Sequence, residues 1–182
     1  ATPHHLFMNL EEAASLGNFA KVNPPLRDAS DSEALQKALQ DGLIDTVSSD
    51  HAPHTKEEKE LSYERAPAGV PGVETMLPMA LDFYHRGGIT LERIVDCMAR
   101  KPAEIFGIEK RGALQEGYYA DITIVDLHLT RKLKDSTIYS KCGWNLFSRR
   151  SMTGCPITTI VNGVVAFDRG TFPNKPMGRE VY

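Results

Sequence analysis

Apolar positions recur with helical spacing through the first part of the chain and alternate with polar ones through the last. Residues 10–16 read as one short helical turn. Ala34, Leu35, Ala38 and Leu39 fall on one face of a helix over 33–40, which Ser30 or Asp31 can cap and Gly42 ends. Met76, Leu77, Met79, Ala80, Leu81 and Phe83 predict a helix within 73–85, stopped by Gly87-Gly88. Thr90 is expected to cap a helix over 91–99, and Pro102 to open a short one that Gly107 closes. Before these, Leu43-Ile44-Asp45-Thr46-Val47-Ser48-Ser49 is a β-branched run expected to be a strand. It ends abruptly at Asp50-His51-Ala52-Pro53-His54, so the strand would deliver a polar cluster at its carboxyl end. From residue 111 the period shortens to two: 121–127 alternates as a strand should. Residues 158–161, Asn162-Gly163 and 164–167 then form a hairpin with an Asn-Gly turn.

The connections carry their own signals. Lys21-Val22-Asn23-Pro24-Pro25-Leu26-Arg27 reads as a stiff extended loop, because two prolines fix φ and Asn23 is steered to extended geometry by the proline after it. Residues 56–65 are charged, so they read as a mobile solvated face that could belong to a lid. Residues 66–72 are a Pro/Gly loop of little bulk, and 132–154 are an irregular excursion within the β portion.

Composition narrows the class. A length of 182 residues suits one domain with a sizeable core. Twenty-one Lys and Arg against 24 Asp and Glu leave a net charge of -3, so nothing draws the chain to a nucleic-acid or lipid surface. No apolar run approaches the ~20 residues that span a bilayer. Cys97, Cys142 and Cys155 form no CxxC pair and are odd in number, which suggests reduced thiols in a cytoplasmic protein rather than a disulfide framework. Trp144 is expected to pack in the core. The start, Ala1-Thr2-Pro3-His4-His5, has no signal-peptide features and reads as the interior of a motif, so the chain is expected to be part of a longer polypeptide.

The densest chemistry is Ser48-Ser49-Asp50-His51-Ala52-Pro53-His54. One carboxylate and two imidazoles on a loop leaving a strand suit metal ligation or proton transfer. The same residues also read as a turn cap and two solvated histidines, and spacing alone allows either. His4 and His5 are adjacent, so at most one would face a metal; packed histidines are the simpler reading. Asn23 and Arg27 flank the Pro-Pro elbow, where an amide can grip a substrate carbonyl and a guanidinium a carboxylate. Stiffening of the loop explains them as well. Ala68-Gly69 offers backbone N–H groups fit for an anion, or only a turn.

Taken together, Thr2-Pro3-His4-His5-Leu6, Val22-Asn23-Pro24-Pro25-Leu26-Arg27, Ser49-Asp50-His51-Ala52-Pro53-His54-Thr55 and Gly72-Val73-Glu74-Thr75 resemble, in order and spacing, the dihydroorotase family of the type often found in bacteria. That family belongs to the metal-dependent amidohydrolases. The resemblance continues through Lys101-Pro102-Ala103, 117–126 and Ile160-Val161-Asn162-Gly163, and so covers nearly the whole chain. Allantoinase and dihydropyrimidinase are similar in layout but vary both the aspartate–histidine and the Asn-Pro-Pro strings.

The resemblance implies an α/β fold. Residues 1–111 would be the carboxyl-terminal portion of a TIM (β/α)8 barrel (the end of its seventh strand, the eighth strand and the following helices). Residues 112–182 would be part of a small β domain with a carboxyl-terminal tail. It implies a cytoplasmic hydrolase of cyclic amides that interconverts N-carbamoyl-L-aspartate and (S)-dihydroorotate in pyrimidine biosynthesis. Its substrate is a small molecule, with no nucleic-acid or membrane partner, and it would be a homodimer able to associate with other enzymes of that route. One or two zinc ions would serve as cofactor. Asp50 would bind metal, take a proton from the attacking water and return it to the leaving nitrogen. Asn23, His54, Ala68 and Gly69 would contact substrate, whereas no metal role carries over to His4 or His5.

One departure qualifies this. The family's metal site also draws on an HxH pair, an acidic residue or carboxylated lysine, and two further histidines, all upstream of the first motif here, and this chain contains no HxH. Catalytic zinc normally takes three protein ligands, so the chain alone is expected to be inactive. Two rival readings remain: a dihydroorotase-like scaffold without catalysis, and a related cyclic amidohydrolase such as allantoinase or dihydropyrimidinase.

Overall fold

Short helices fill the chain up to Ile105, and an antiparallel sheet follows. The computed structural model describes residues 1–173 and 178–180, so part of the tail assigned to the second segment lies outside the described residues. The helices are α1 (Pro3–Phe7), α2 (Leu10–Ala14), α3 (Ala29–Gln40), α4 (Lys56–Lys59), α5 (Met76–His85), α6 (Leu91–Val95) and α7 (Lys101–Ile105). The strands are β1 (Ile122–Lys132), β2 (Ser151–Val161) and β3 (Val164–Asp168), in spatial order β1-β2-β3. No helix among the described residues is long and apolar enough to cross a membrane.

Local sequence accounts for most boundaries. Asn9 and Thr55 each accept from the backbone N–H three residues on, while Glu12 and Glu58 reach back, giving α2 and α4 reciprocal capping boxes. Thr90 caps α6 as expected. The helical run continues through a π turn at Asp96–Arg100 into α7, so Pro102 sits inside a longer helix rather than opening a separate one. Helix α3 begins at Ala29 with Asp28 as its cap, ahead of the expected Ser30 or Asp31. Between β2 and β3, Asn162 (φ 50°) and Gly163 (φ 81°) both take left-handed geometry, as a two-residue hairpin turn of this hand requires.

One expectation fails and another holds only in part. Residues 43–49 are extended but form no strand. Val47 donates to the Cys97 carbonyl (3.1 Å), Ser48 to the Ala1 carbonyl (2.8 Å), and the Ala1 amino group to the Thr46 carbonyl (2.8 Å). A ladder needs a neighbour along several residues, and among the described residues only Ala1 runs alongside. The single parallel pairing nearby is an isolated bridge between His51 and Val70. Residues 56–65 are exposed as expected except for Lys59, which is buried, and their first turn is capped.

One core joins the helices to the sheet. Leu6, Phe7, Leu39, Met79, Leu81, Phe83 and Ile94 from the helices meet Trp144, Phe147 and Met152 from the β portion. Helix α5 lies on β2, where the Asp82 carboxylate accepts from the Thr153 N–H at 3.0 Å. The excursion between β1 and β2 folds back onto the helices: Glu74 accepts from the Tyr139 and Ser140 N–H groups (3.0 and 2.8 Å), and Arg150 donates to the Phe7 carbonyl (2.9 Å). This return places Trp144 in the core beside the polar cluster.

Candidate active site around Asp50

The polar cluster sits where the extended segment at 43–49 ends. Asp50 adopts φ 45°, a left-handed conformation that a short polar side chain tolerates better than most, and its carboxylate is 53% exposed. The loop at 66–72 is laid directly along this turn. Ala52 donates to the Val70 carbonyl at 3.0 Å, and the His51 ring Nδ1 accepts from the Gly72 and Val73 N–H groups (3.1 and 3.3 Å). A Cβ at Gly72 would stand 2.3 Å from the Ser49 oxygen, and one at Gly69 (φ 135°) 2.6 Å from the Ala52 oxygen. Only glycine lets the two backbones approach this closely. His51 is thereby occupied in structure.

The two amino-terminal histidines split their duties. His4 is buried, and its Nε2 has no hydrogen-bond partner among the described residues; Asp50 Oδ2 stands 3.8 Å away. Burial first, and the neighbouring His5 second, push its pKa down to about 4, only partly opposed by Asp50, so the ring is neutral at pH 7. His5 instead bonds Thr2 Oγ1 (2.6 Å) and the Pro24 carbonyl (2.8 Å), fixing the elbow that carries exposed Asn23. Arg27 is exposed and takes part through its carbonyl, which accepts from the Leu10 N–H.

His54 lies on the other side of the turn. Its Nε2 is 3.2 Å from the Ala68 carbonyl, its Nδ1 is 3.7 Å from Glu58, and its own carbonyl accepts from the Trp144 indole at 2.8 Å. Gly69 donates to the Lys21 carbonyl at 3.0 Å, which joins the loop at 66–72 to the Asn23 elbow. Hydrogen bonds thus link His54 to Ala68 and Gly69 to the elbow, while Asp50 adjoins them through the chain and through His4 at 3.8 Å. A cavity of about 700 Å³ lies elsewhere, between Leu77 of α5 and the sheet.

Sequence reasoning missed Lys59. Its ammonium is buried and donates to three carbonyls, those of Lys21 (3.2 Å), Pro67 (2.9 Å) and Gly69 (3.0 Å). The signal that locates it is the Thr55-x-x-Glu58 capping box, which fixes the turn that aims it inward.

A single exposed carboxylate is a poor metal site by itself. Among the described residues no group of three His, Cys, Asp or Glu side chains is placed to hold a metal. The orphaned His4 Nε2 adds at most one donor atom beside Asp50, short of the three protein ligands that catalytic zinc takes. These residues do not make a complete zinc centre.

The amidohydrolase family model matches residues 11–166. Dihydroorotase from Halobacterium salinarum is 43% identical over 94% of this chain and 40% of its own length. Dihydroorotase from Carboxydothermus hydrogenoformans is 39% identical over 92% of this chain and 39% of its own length. The chain therefore spans about two fifths of the length of these relatives. Among solved structures, the L-hydantoinase (dihydropyrimidinase) from Arthrobacter aurescens superposes with a TM-score of 0.92 and 37% identity, over 96% of this chain and 40% of that one. A D-hydantoinase (dihydropyrimidinase) from a Thermus species gives 0.90 and 26%, over 96% and 40%. With the family pattern running through both the helical and the β portion, this chain belongs to the amidohydrolase family.

Proposed function

We propose that this chain is the carboxyl-terminal portion of a dihydroorotase, with residues 1–111 belonging to the (β/α)8 barrel and 112–182 to the small β domain. The observation that carries the reading is the set of bonds that ties His54, Ala68-Gly69 and the Asn23 elbow together beside the Asp50 turn, in a chain 39–43% identical to dihydroorotases. In this reading Asp50 contributes one carboxylate to a zinc site whose other ligands lie outside this chain. The metal's part is to supply hydroxide near neutral pH. With that metal bound, Asp50 would take up the proton of the attacking water and deliver it to the departing ring nitrogen, one carboxylate serving as base and then acid. Asn23, His54 and the Ala68-Gly69 loop hold the substrate's carbonyl and carboxylate groups, the Ala68 N–H being the loop's donor, since the Gly69 N–H is already given to the Lys21 carbonyl. The chain alone is inactive for want of ligands, and the whole enzyme is a cytoplasmic homodimer.

The test is dihydroorotate hydrolysis by the full-length protein before and after Asp50→Ala. A loss of at least ~100-fold in kcat is expected, the usual worth of general acid–base help. Near-normal turnover would end the role given to Asp50. A second reading, a hydantoinase or dihydropyrimidinase, is favoured by the 37% identity and the close superposition with the L-hydantoinase. Comparing turnover of dihydroorotate, hydantoin and dihydrouracil separates the two.

A further inference from the structure

A lysine that is 1% exposed needs a reason, because an ammonium removed from water is costly unless every N–H finds an acceptor. Lys59 has its reason in three converging carbonyls, and they come from two different loops. Lys21 lies two residues before Asn23, whereas Pro67 and Gly69 bracket Ala68. Among the described residues, the Gly69 N–H to Lys21 bond is the backbone hydrogen bond that joins these two loops. The same ammonium stands 5.9 Å over the Trp144 ring, whose indole N–H holds the His54 carbonyl. All three elements that would meet substrate are therefore referenced to one nitrogen atom. Lys21 supports the arrangement from outside, donating to the Tyr63 and Ala66 carbonyls (2.5 and 2.7 Å).

We propose that Lys59 is a positioning residue, whose ammonium sets the spacing between the Asn23 elbow and the Ala68-Gly69 loop on which substrate binding depends. The inference rests on the reading that these elements hold substrate. An apolar residue would fill the volume but take the donor from the Pro67 and Gly69 carbonyls and leave the Lys21 carbonyl only the Gly69 N–H. A guanidinium is planar and cannot place three donors on one tetrahedral centre.

The test uses the full-length protein with Lys59→Met and Lys59→Arg. Lys59→Met is expected to raise KM for dihydroorotate about tenfold or more while kcat falls far less, with bound zinc per chain unchanged. Hydrogen exchange at the Gly69 amide is expected to speed up in the same variant, whatever the substrate proves to be. Lys59→Arg keeps the charge and the stem, covers a failure of Lys59→Met to fold, and is expected to raise KM by about threefold, since it can satisfy only part of the tripod. A KM within twofold of wild type in whichever variant folds, or a loss of zinc accompanying the change, overturns the proposal. Faster Gly69 exchange with an unaltered KM would instead show that the loops are clamped but do not meet substrate, which removes the functional reading and leaves the clamp.

Discussion

His4 and Asp50 stand 3.8 Å apart, imidazole Nε2 to carboxylate Oδ2, with the ring buried and the acid exposed. The pair is asymmetric: solvent satisfies the carboxylate, while burial holds the ring neutral with a pKa near 4. An unfolded histidine titrates near 6.5, so between pH 6.5 and 4 the unfolded chain binds a proton that the native one refuses. His4 therefore costs stability as pH falls through that window, about 2 kcal/mol by pH 5 and about 3 in full. Urea unfolding at pH 7 and pH 5 should show this extra loss in wild type and not in His4→Gln. Equal losses in the two proteins would mean that the ring is protonated in the native state.

Gly69→Ala is expected to displace the loop against which His54 and Lys59 are set. Its Cβ would stand 2.6 Å from the Ala52 oxygen, at a φ of 135° that side chains rarely adopt. A cost of about 1–3 kcal/mol is expected from the strain. Gly170→Ala is the control, because its φ is also positive but its Cβ would meet nothing within 4 Å. Melting curves of the two variants should therefore differ, with Gly69→Ala the lower.

Arg93 is the tie between helix α6 and the segment leading to Asp50. Its guanidinium donates to the Leu39 carbonyl at 2.9 Å, to the Ile44 carbonyl and to Asp96 at 2.6 Å. Arg93→Met removes all three donors at once and is expected to destabilise the protein by about 1–3 kcal/mol, since the Ile44 carbonyl loses its partner while the Leu39 carbonyl keeps the Gly42 N–H and Asp96 keeps Arg100. Denaturant titration measures it. A change below 0.5 kcal/mol, roughly the size of an ordinary surface substitution, would show that water replaces the fork without cost.

Cys97 and Cys155 are buried, and burial pushes both thiols above the usual cysteine range. Little thiolate forms at pH 8, and alkylation needs the thiolate. Cys142 is only half-buried, so iodoacetamide should modify it first, with Cys97 and Cys155 labelled fully only after unfolding. Peptide mass mapping over a time course decides the order.

Much of this architecture is written in local pattern. The stripe of 76–83, the Thr90 cap and the Asn162-Gly163 turn each depend on neighbours within a few residues, and each appears where the pattern puts it. What local pattern could not show are relationships across distance. Lys59 looks like part of a charged run because the three carbonyls that bury it come from positions as far off as Lys21. The run at 43–49 has the sequence of a strand but strand character depends on a partner, and among the described residues only Ala1 runs beside it. His4 carries no mark that separates it from His5; only the packing of α1 turns one ring inward and the other toward Pro24. The candidate site was legible as a list of residues, while its assembly by Lys59, Gly69 and Trp144 was not.

The indole bond from Trp144 to His54 bears on how such proteins can be recombined. A hybrid made by joining residues 1–111 to the β portion of a relative would inherit its support for His54 from the donor, not the host. Grafts at that seam should keep Trp144 and the turn that presents it, or the histidine will travel without its brace.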